Sequence, residues 1–314
     1  MVRSKIKKLM AAALIGSMMA LMVGCGKPSA KKLQDVAVKE FGAEELTAED
    51  LRDLDEGDAQ HLDDGFVLHC TGEELADEFE DELEEGQDKI DKEAKMLDKS
   101  GIDLEDIIGY DPTSYEVEDI KEMTAYFMAD GVAKPESDLF TQGAVVIEFV
   151  DKKEANENMK AAMDLFVERS EIDTKGLNKG EFMYKGNKCQ FVINGDRDLV
   201  CDIVVDLATL VAKKSDSGKD FDEQAKEFRK EMKEELPSDL NYVVGVYYND
   251  GVSTVIFGVT MDDELDQIST IAKKLGVTDP TKVEMSDAMY DAILNYVDET
   301  LDKKLTKALN GLHY

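Results

Sequence analysis

"GAVVIEFVDKKEANENMKAAMDLF" spans residues 143–166, and "STVIFGVTMDDELDQISTIAKKLG" spans residues 253–276. Laid over each other without a gap, the two stretches share one profile: an apolar run, a short turn rich in charge, then apolar residues at helical spacing. In the first, Ala155, Met159, Met163 and Phe166 fall on one side of a helix. In the second, Thr260 stands where a cap is expected and Gly276 where a helix stops. Few residues are identical between them. The pattern predicts an α+β fold built as two units, each a small antiparallel sheet of hairpins covered by amphipathic helices. A long C-terminal helix follows, from about Val283 to Leu309, where Met289, Ile293, Val297, Leu301, Leu305 and Leu309 repeat every four residues.

Working towards the N-terminus, "AVVIEFV" (144–150) reads as a strand, and "IKEMTAYFM" (120–128) reads as a strand that also carries some helical spacing. "GFVLHC" (65–70) is apolar enough for another strand, and "TGEE" (71–74) is a capping box for the segment after it. That segment, residues 73–85, holds nine acids in thirteen positions, with Leu75, Phe79 and Leu83 as its apolar stripe. A solvated acidic face is the reading, because helical carboxylate ladders seldom converge the 6–8 oxygens calcium needs. "TAED" (47–50) opens a short helix, and Leu33, Val36, Ala37 and Phe41 stripe another over 31–41.

Towards the C-terminus, "KCQFVI" (188–193) and "DLVCDIVV" (198–205) flank "NGDR", which predicts a hairpin. "DSGKD" (216–220) is the candidate linker, dividing the body into an N-terminal α+β domain, 31–215, and a C-terminal one, 220–314. Phe221, Ala225, Phe228, Met232 and Leu236 stripe a helix that ends at Pro237. "YVVGVYY", "NDG" and "VSTVIFGV" form a second predicted hairpin over 242–259.

The first residues carry a different kind of signal. "VRSKIKK" (2–8) is basic, and "LMAAALIGSMMALMV" (9–23) is an apolar run shorter than the ~20 residues a bilayer crossing needs. That layout belongs to a secretory signal, residues 1–24. "LMVGC", Leu21 to Cys25, resembles the lipobox of bacterial lipoproteins. The resemblance implies cleavage between Gly24 and Cys25 and a diacylglycerol on the Cys25 thiol. Two acyl chains anchor stably where one does not. The implied location is the extracytoplasmic face of the cell membrane. Residues 25–30 would form the lipidated tether, the five residues "GKPSA" after Cys25 reaching at most about 18 Å. Residues 105–165 also resemble small lipoproteins of unknown function from Gram-positive gut bacteria, a likeness that transfers no catalytic residue.

Without residues 1–24 the chain has 33 basic against 70 acidic residues, a net charge of −37. Phosphate backbones demand Lys and Arg, so nucleic acid is excluded as a partner. The same charge opposes electrostatic attachment of the whole body to an anionic leaflet. Apolar residues make up 43% of the chain, enough to bury a sizeable core.

The reactive side chains form no catalytic pattern. On alternating strands Cys189 and Cys201 would share a hairpin, and a three-residue loop would set them opposite each other at disulfide distance. The two readings are a bridge or two reduced core residues. Of His61, His69 and His313, only His69 has a neighbouring thiol, Cys70. Zinc needs three or four organised ligands, so His69 reads as the polar partner of a half-buried strand. "NGDRDLVCDIVV" fails as a calcium loop, having Leu199 where Gly is required and Val205 where Glu is required. GxSxG, GxxxxGK[ST] and GxGxxG are all missing. The expectation is a non-enzymatic, lipid-anchored binding or scaffold protein with no cofactor, no metal, and an unidentified protein or small molecule as partner. The alternatives are a substrate-binding lipoprotein of an importer and, behind it, a cell-wall hydrolase.

Overall fold

The computed structural model describes residues 28–53, 65–78, 109–110, 117–128, 142–215, 221–236, 238, 240–260 and 265–311. Cys25 and the signal segment, the acidic stretch 79–85, "DSGKD", His61 and His313 lie outside the described residues. No described helix is long and apolar enough to cross a membrane.

The fold is α+β, as the patterning predicts. Its strands are β1 (Glu44–Leu46), β2 (Phe66–Cys70), β3 (Ile120–Met128), β4 (Gln142–Phe149), β5 (Phe182–Lys185), β6 (Lys188–Asp196), β7 (Asn241–Asn249) and β8 (Val252–Thr260). They form one sheet in the order β1-β2-β3-β4-β8-β7-β6-β5. Only β1 and β2 run parallel. The expected pair of separate small sheets is therefore corrected to a single one. β4 pairs with β8 from Gln142 opposite Gly258 to Glu148 opposite Val252, which joins the two units edge to edge. β6 pairs with β7 across the expected 215/220 boundary, so that boundary interrupts neither sheet nor core. The edge strands β1 and β5 are short, which limits the exposed row of unpaired backbone groups.

Both faces of the sheet are covered. On one lie α1 (Ala30–Phe41) and α7 (Asp266–Leu275), whose Leu33, Val36, Ile268, Ile271 and Leu275 pack on Tyr126, Val146, Val243, Tyr247 and Ile256. On the other, α4 (Lys152–Ser170) buries Ala155, Met159, Met163 and Phe166 against Met123, Phe127, Val145, Ile147 and Phe149. β4 is buried along almost its whole length, which is why its sequence is a continuous apolar run instead of an alternating one.

The capping signals at Thr47, Thr71 and Gly276 hold. Thr47 and Asp50 form a reciprocal capping box at α2 (Ala48–Asp53), and Thr71 and Glu74 form one at α3 (72–78). Gly42 and Gly276 close α1 and α7 in the left-handed conformation. The β7–β8 turn is two residues, Asp250 (φ 49°) and Gly251 (φ 83°), the backbone signs of a type I′ hairpin.

Three expectations are corrected. Residues 198–205 are not a strand but part of α5 (Arg197–Ser215). Asp196, expected in a hairpin turn, accepts a 3.0 Å hydrogen bond from the Leu199 amide and caps that helix. Asp198, Asp202 and Asp206 then recur every four residues and meet cations of α6 (Asp222–Glu235). Lys233 reaches Asp198 at 3.2 Å, and Arg229 reaches Asp202 at 2.9 Å and Asp206 at 2.6 Å. Valine and isoleucine content suggested a strand, and pairing between helices overrode it.

Thr260 ends β8 opposite Asn241, while α7 starts at Asp266 with Leu265 at its N-cap position. The last helix, α8, runs Asp287–Gly311 and follows a short 3-10 turn at Pro280–Lys282, so it begins four residues later than expected. Among its described side chains, Met289, Ala292 and Thr300 are buried and Tyr296 packs against the core. A strict four-residue repeat drifts around a 3.6-residue helix, which is why Ile293 and Val297 are only half-buried.

A Cβ on Gly143 would stand 2.5 Å from the Phe257 ring and 2.7 Å from the Tyr126 carbonyl oxygen. Gly143→Ala is expected to cost about 1–3 kcal/mol, read as a lower urea midpoint; an unchanged midpoint would contradict the packing. Burial raises the phenol pKa of both Tyr126 and Tyr247, and Asp279 adds to the second. In the unfolded chain these phenols ionise near pH 10, so above that pH the unfolded state holds fewer protons and stability must fall as pH rises. Absorbance at 295 nm should show a slow group of tyrosines that ionise only on unfolding.

Candidate functional site

At one end of the sheet, β6 finishes and β7 starts beside the first turn of α7. Asn194, Gly195, Asp196 and Asn241 come from the strands, Leu265, Asp266 and Ser269 from the start of α7, and Thr281, Lys282 and Glu284 from the segment after it. Together they line a cavity of about 430 Å³, within the 300–1,000 Å³ usual for small-molecule sites. Among the described lining residues Leu265 is the single large apolar side chain. Three carboxylates face one ammonium, so the lining favours a small, polar ligand carrying positive charge.

The walls are pinned by hydrogen bonds. Asp279 accepts from the Thr281 amide at 3.1 Å, from the Thr281 hydroxyl at 2.7 Å and from the Ser269 hydroxyl, which ties the 3-10 turn to α7. Behind it, the fully buried Glu181 accepts from the Asn178 amide at 2.8 Å and from the Ser286 amide at 2.6 Å and hydroxyl at 2.7 Å. Asn178 Nδ2 donates to the Glu284 carbonyl at 2.8 Å. A buried carboxylate with several donors is stabilised where an unpaired one would not be. The Asp196 cap and the 2.9 Å bond from the Arg197 amide to the Leu240 carbonyl hold the strand side.

The residues singled out in the sequence lie elsewhere. Cys189 sits on β6 opposite Tyr184 and Tyr248, whereas Cys201 is on α5. The bridge is corrected to two buried thiols, because a helix after Asp196 removes the cross-strand opposition it needed. His69 Nδ1 lies 2.8 Å from the Thr124 hydroxyl, which donates its own hydrogen to the Ala30 carbonyl at 2.8 Å. Thr124 therefore accepts from His69, and the Nδ1 of His69 carries a proton. Burial, then Glu74, pushes the neighbouring Cys70 thiol up to about 12. Among the described residues no group of three or more His, Cys, Asp and Glu side chains is placed to hold a metal ion.

In the sequence Asn194 and Asp196 stand out only in a failed calcium loop and an expected hairpin turn, and the other cleft residues belong to no motif. The available signal was the acid spacing at 198, 202 and 206, which marks a helix start at 197 and makes Asp196 a cap at a sheet end. Comparison of the chain with protein-family models, curated proteins and solved structures finds no match.

With Cys25 replaced by alanine, three thiols remain. All three should be alkylated when the unreduced protein is denatured; recovery of only one would restore the bridge. In the native protein at pH 8, Cys70 should react far more slowly than a free thiol of pKa about 8.5.

Proposed function

We propose that this protein is a bacterial lipoprotein, held by a diacylglycerol on Cys25 at the extracytoplasmic face of the cell membrane. It works there as a non-enzymatic binding protein. Its ligand is small, polar and positively charged, and it occupies the cleft between Asp196, Asp266 and Glu284. The observation that carries the anchoring is how soon the fold begins after the lipobox cysteine. Pro28 is already buried, and Ala30 is pinned at both backbone groups. Its amide donates to Glu148 Oε1 at 3.1 Å and its carbonyl accepts from Thr124. The three steps from Cys25 to Pro28 reach at most about 10 Å, which keeps the body at the membrane surface.

Cys25→Ala, and globomycin treatment of the unaltered protein, should both abolish the acylated form, and the alanine variant should leave the membrane fraction. Retention in that fraction would contradict the anchor. In a thermal-shift screen of cations, basic amino acids, polyamines and neutral sugars, a cationic compound should raise Tm. A ligand at 100 times its Kd adds about 2.7 kcal/mol of stability. Asp266→Asn should reduce that shift; a shift from sugars alone, unaffected by the substitution, would sink the cationic assignment.

A further inference from the structure

The sheet has two chemically different ends, and the tether and the cleft are at opposite ones. Glu148, which holds Ala30, is at the C-terminal end of β4, level with Val252 at the start of β8. Asp196 and Asn241 are level with Thr260, at the other end of the same strands. β6 and β7 are nine residues each, so the ends are about 26 Å apart at ~3.3 Å per residue.

The tether end gathers exposed lysines in a protein whose net charge is −33. Lys31 comes from α1, Lys121 from β3, Lys152 and Lys153 from the start of α4, and Lys185 and Lys188 from the β5–β6 turn. Acids accompany them, Glu157 meeting Lys153 at 3.1 Å, Glu122 meeting Lys121 at 3.8 Å and Asp35 meeting Lys31 at 3.8 Å. Glu148 is taken by Ala30 and by Lys121 at 3.3 Å, and Asp250 accepts from Asn156 at 3.0 Å and Asn187 at 3.2 Å. Asp151 caps α4 through the amides of Lys153 and Glu154. Among these groups stands Val150, 62% exposed, the most exposed of the large apolar side chains described. Its amide donates to the Asp119 carbonyl at 2.8 Å, which fixes it at the tip of the β4–α4 connection.

We infer that this end of the sheet rests on the bilayer, with Val150 in the headgroup layer, and that the cleft faces away from the membrane. The inference rests on the lipid anchor proposed above. A tether that reaches at most about 10 Å leaves the end that carries Pro28 beside the lipid, and the lysines there offset part of the repulsion an anionic leaflet exerts on so acidic a chain. The cleft is then presented to the extracytoplasmic solvent.

The test uses the full lipidated chain in vesicles of phosphatidylcholine and phosphatidylglycerol. Val150→Cys or Lys153→Cys carries an environment-sensitive fluorophore, and Glu44→Cys, exposed at the cleft end, carries it as the reference. Flotation on a density gradient is measured first. With doxyl-labelled lipid, the labels at 150 and 153 should lose roughly half or more of their emission, and the label at 44 almost none, because quenching reaches only groups in the interfacial layer. Vesicles that float with the protein but quench neither 150 nor 153, or quench all three alike, overturn the orientation and leave the anchor standing. Failure to float overturns the anchor and the orientation with it.

Discussion

Seven consecutive residue pairs set β4 in antiparallel register against β8, from Gln142 opposite Gly258 to Glu148 opposite Val252. The rest of the architecture depends on that seam. Because the two strands are antiparallel, the helices that follow them leave from opposite ends of the sheet. α4 departs beside Glu148, and α7 departs near Thr260. They also cover opposite faces, α4 over Val145 and Ile147, α7 beside Val146 and Ile256. Two similar strand–turn–helix units thus give a sheet buried on both sides, which neither unit could achieve with its one helix.

The same seam separates the two ends of the sheet. The chain enters the fold where β4 finishes, and α1 runs back along the sheet from there, its N-terminus held by the Glu148 carboxylate. A negative group is favourable at that position because the first amides of a helix are unpaired and the helix dipole is positive there. At the other end, the first turn of α7, the end of β6 and the 3-10 turn come together around a polar cavity. Asp279, Glu181 and Asp196 each accept from backbone amides there, so the fold itself fixes the walls. Preformed walls of that kind favour binding by lowering the ordering cost.

Between the ends, α5 and α6 show how charge is used. The acids at 198, 202 and 206 form a line that Lys233 and Arg229 satisfy from the neighbouring helix, and Asp206 also accepts from the Tyr290 hydroxyl of α8. These pairs are partly exposed and contribute only modestly each. Their larger consequence is register, since a line of acids on one helix accepts a line of cations on the next in few alignments. The acidity of the chain is therefore divided between solvation and alignment.

What the residues determined alone were the local elements with strong periodicity or a cap. The helix stripes of 31–41 and 151–166, the boxes at Thr47 and Thr71, the Asp250–Gly251 turn and the doubly buried run of β4 all depend on neighbours a few positions away. The lipobox likeness at Cys25 is of the same local kind. Long-range partners decided the remainder. Nothing within 198–205 distinguishes a strand from a helix rich in valine, because the deciding cations are on α6. Nothing in either strand–turn–helix stretch says that the two will share one sheet, because register between β4 and β8 is chosen by packing on both faces together. The cleft follows from that choice. Asn194 and Asp266 are 72 positions apart in the chain, and only the pairing of β6 with β7 and β7 with β8 brings their ends to one place.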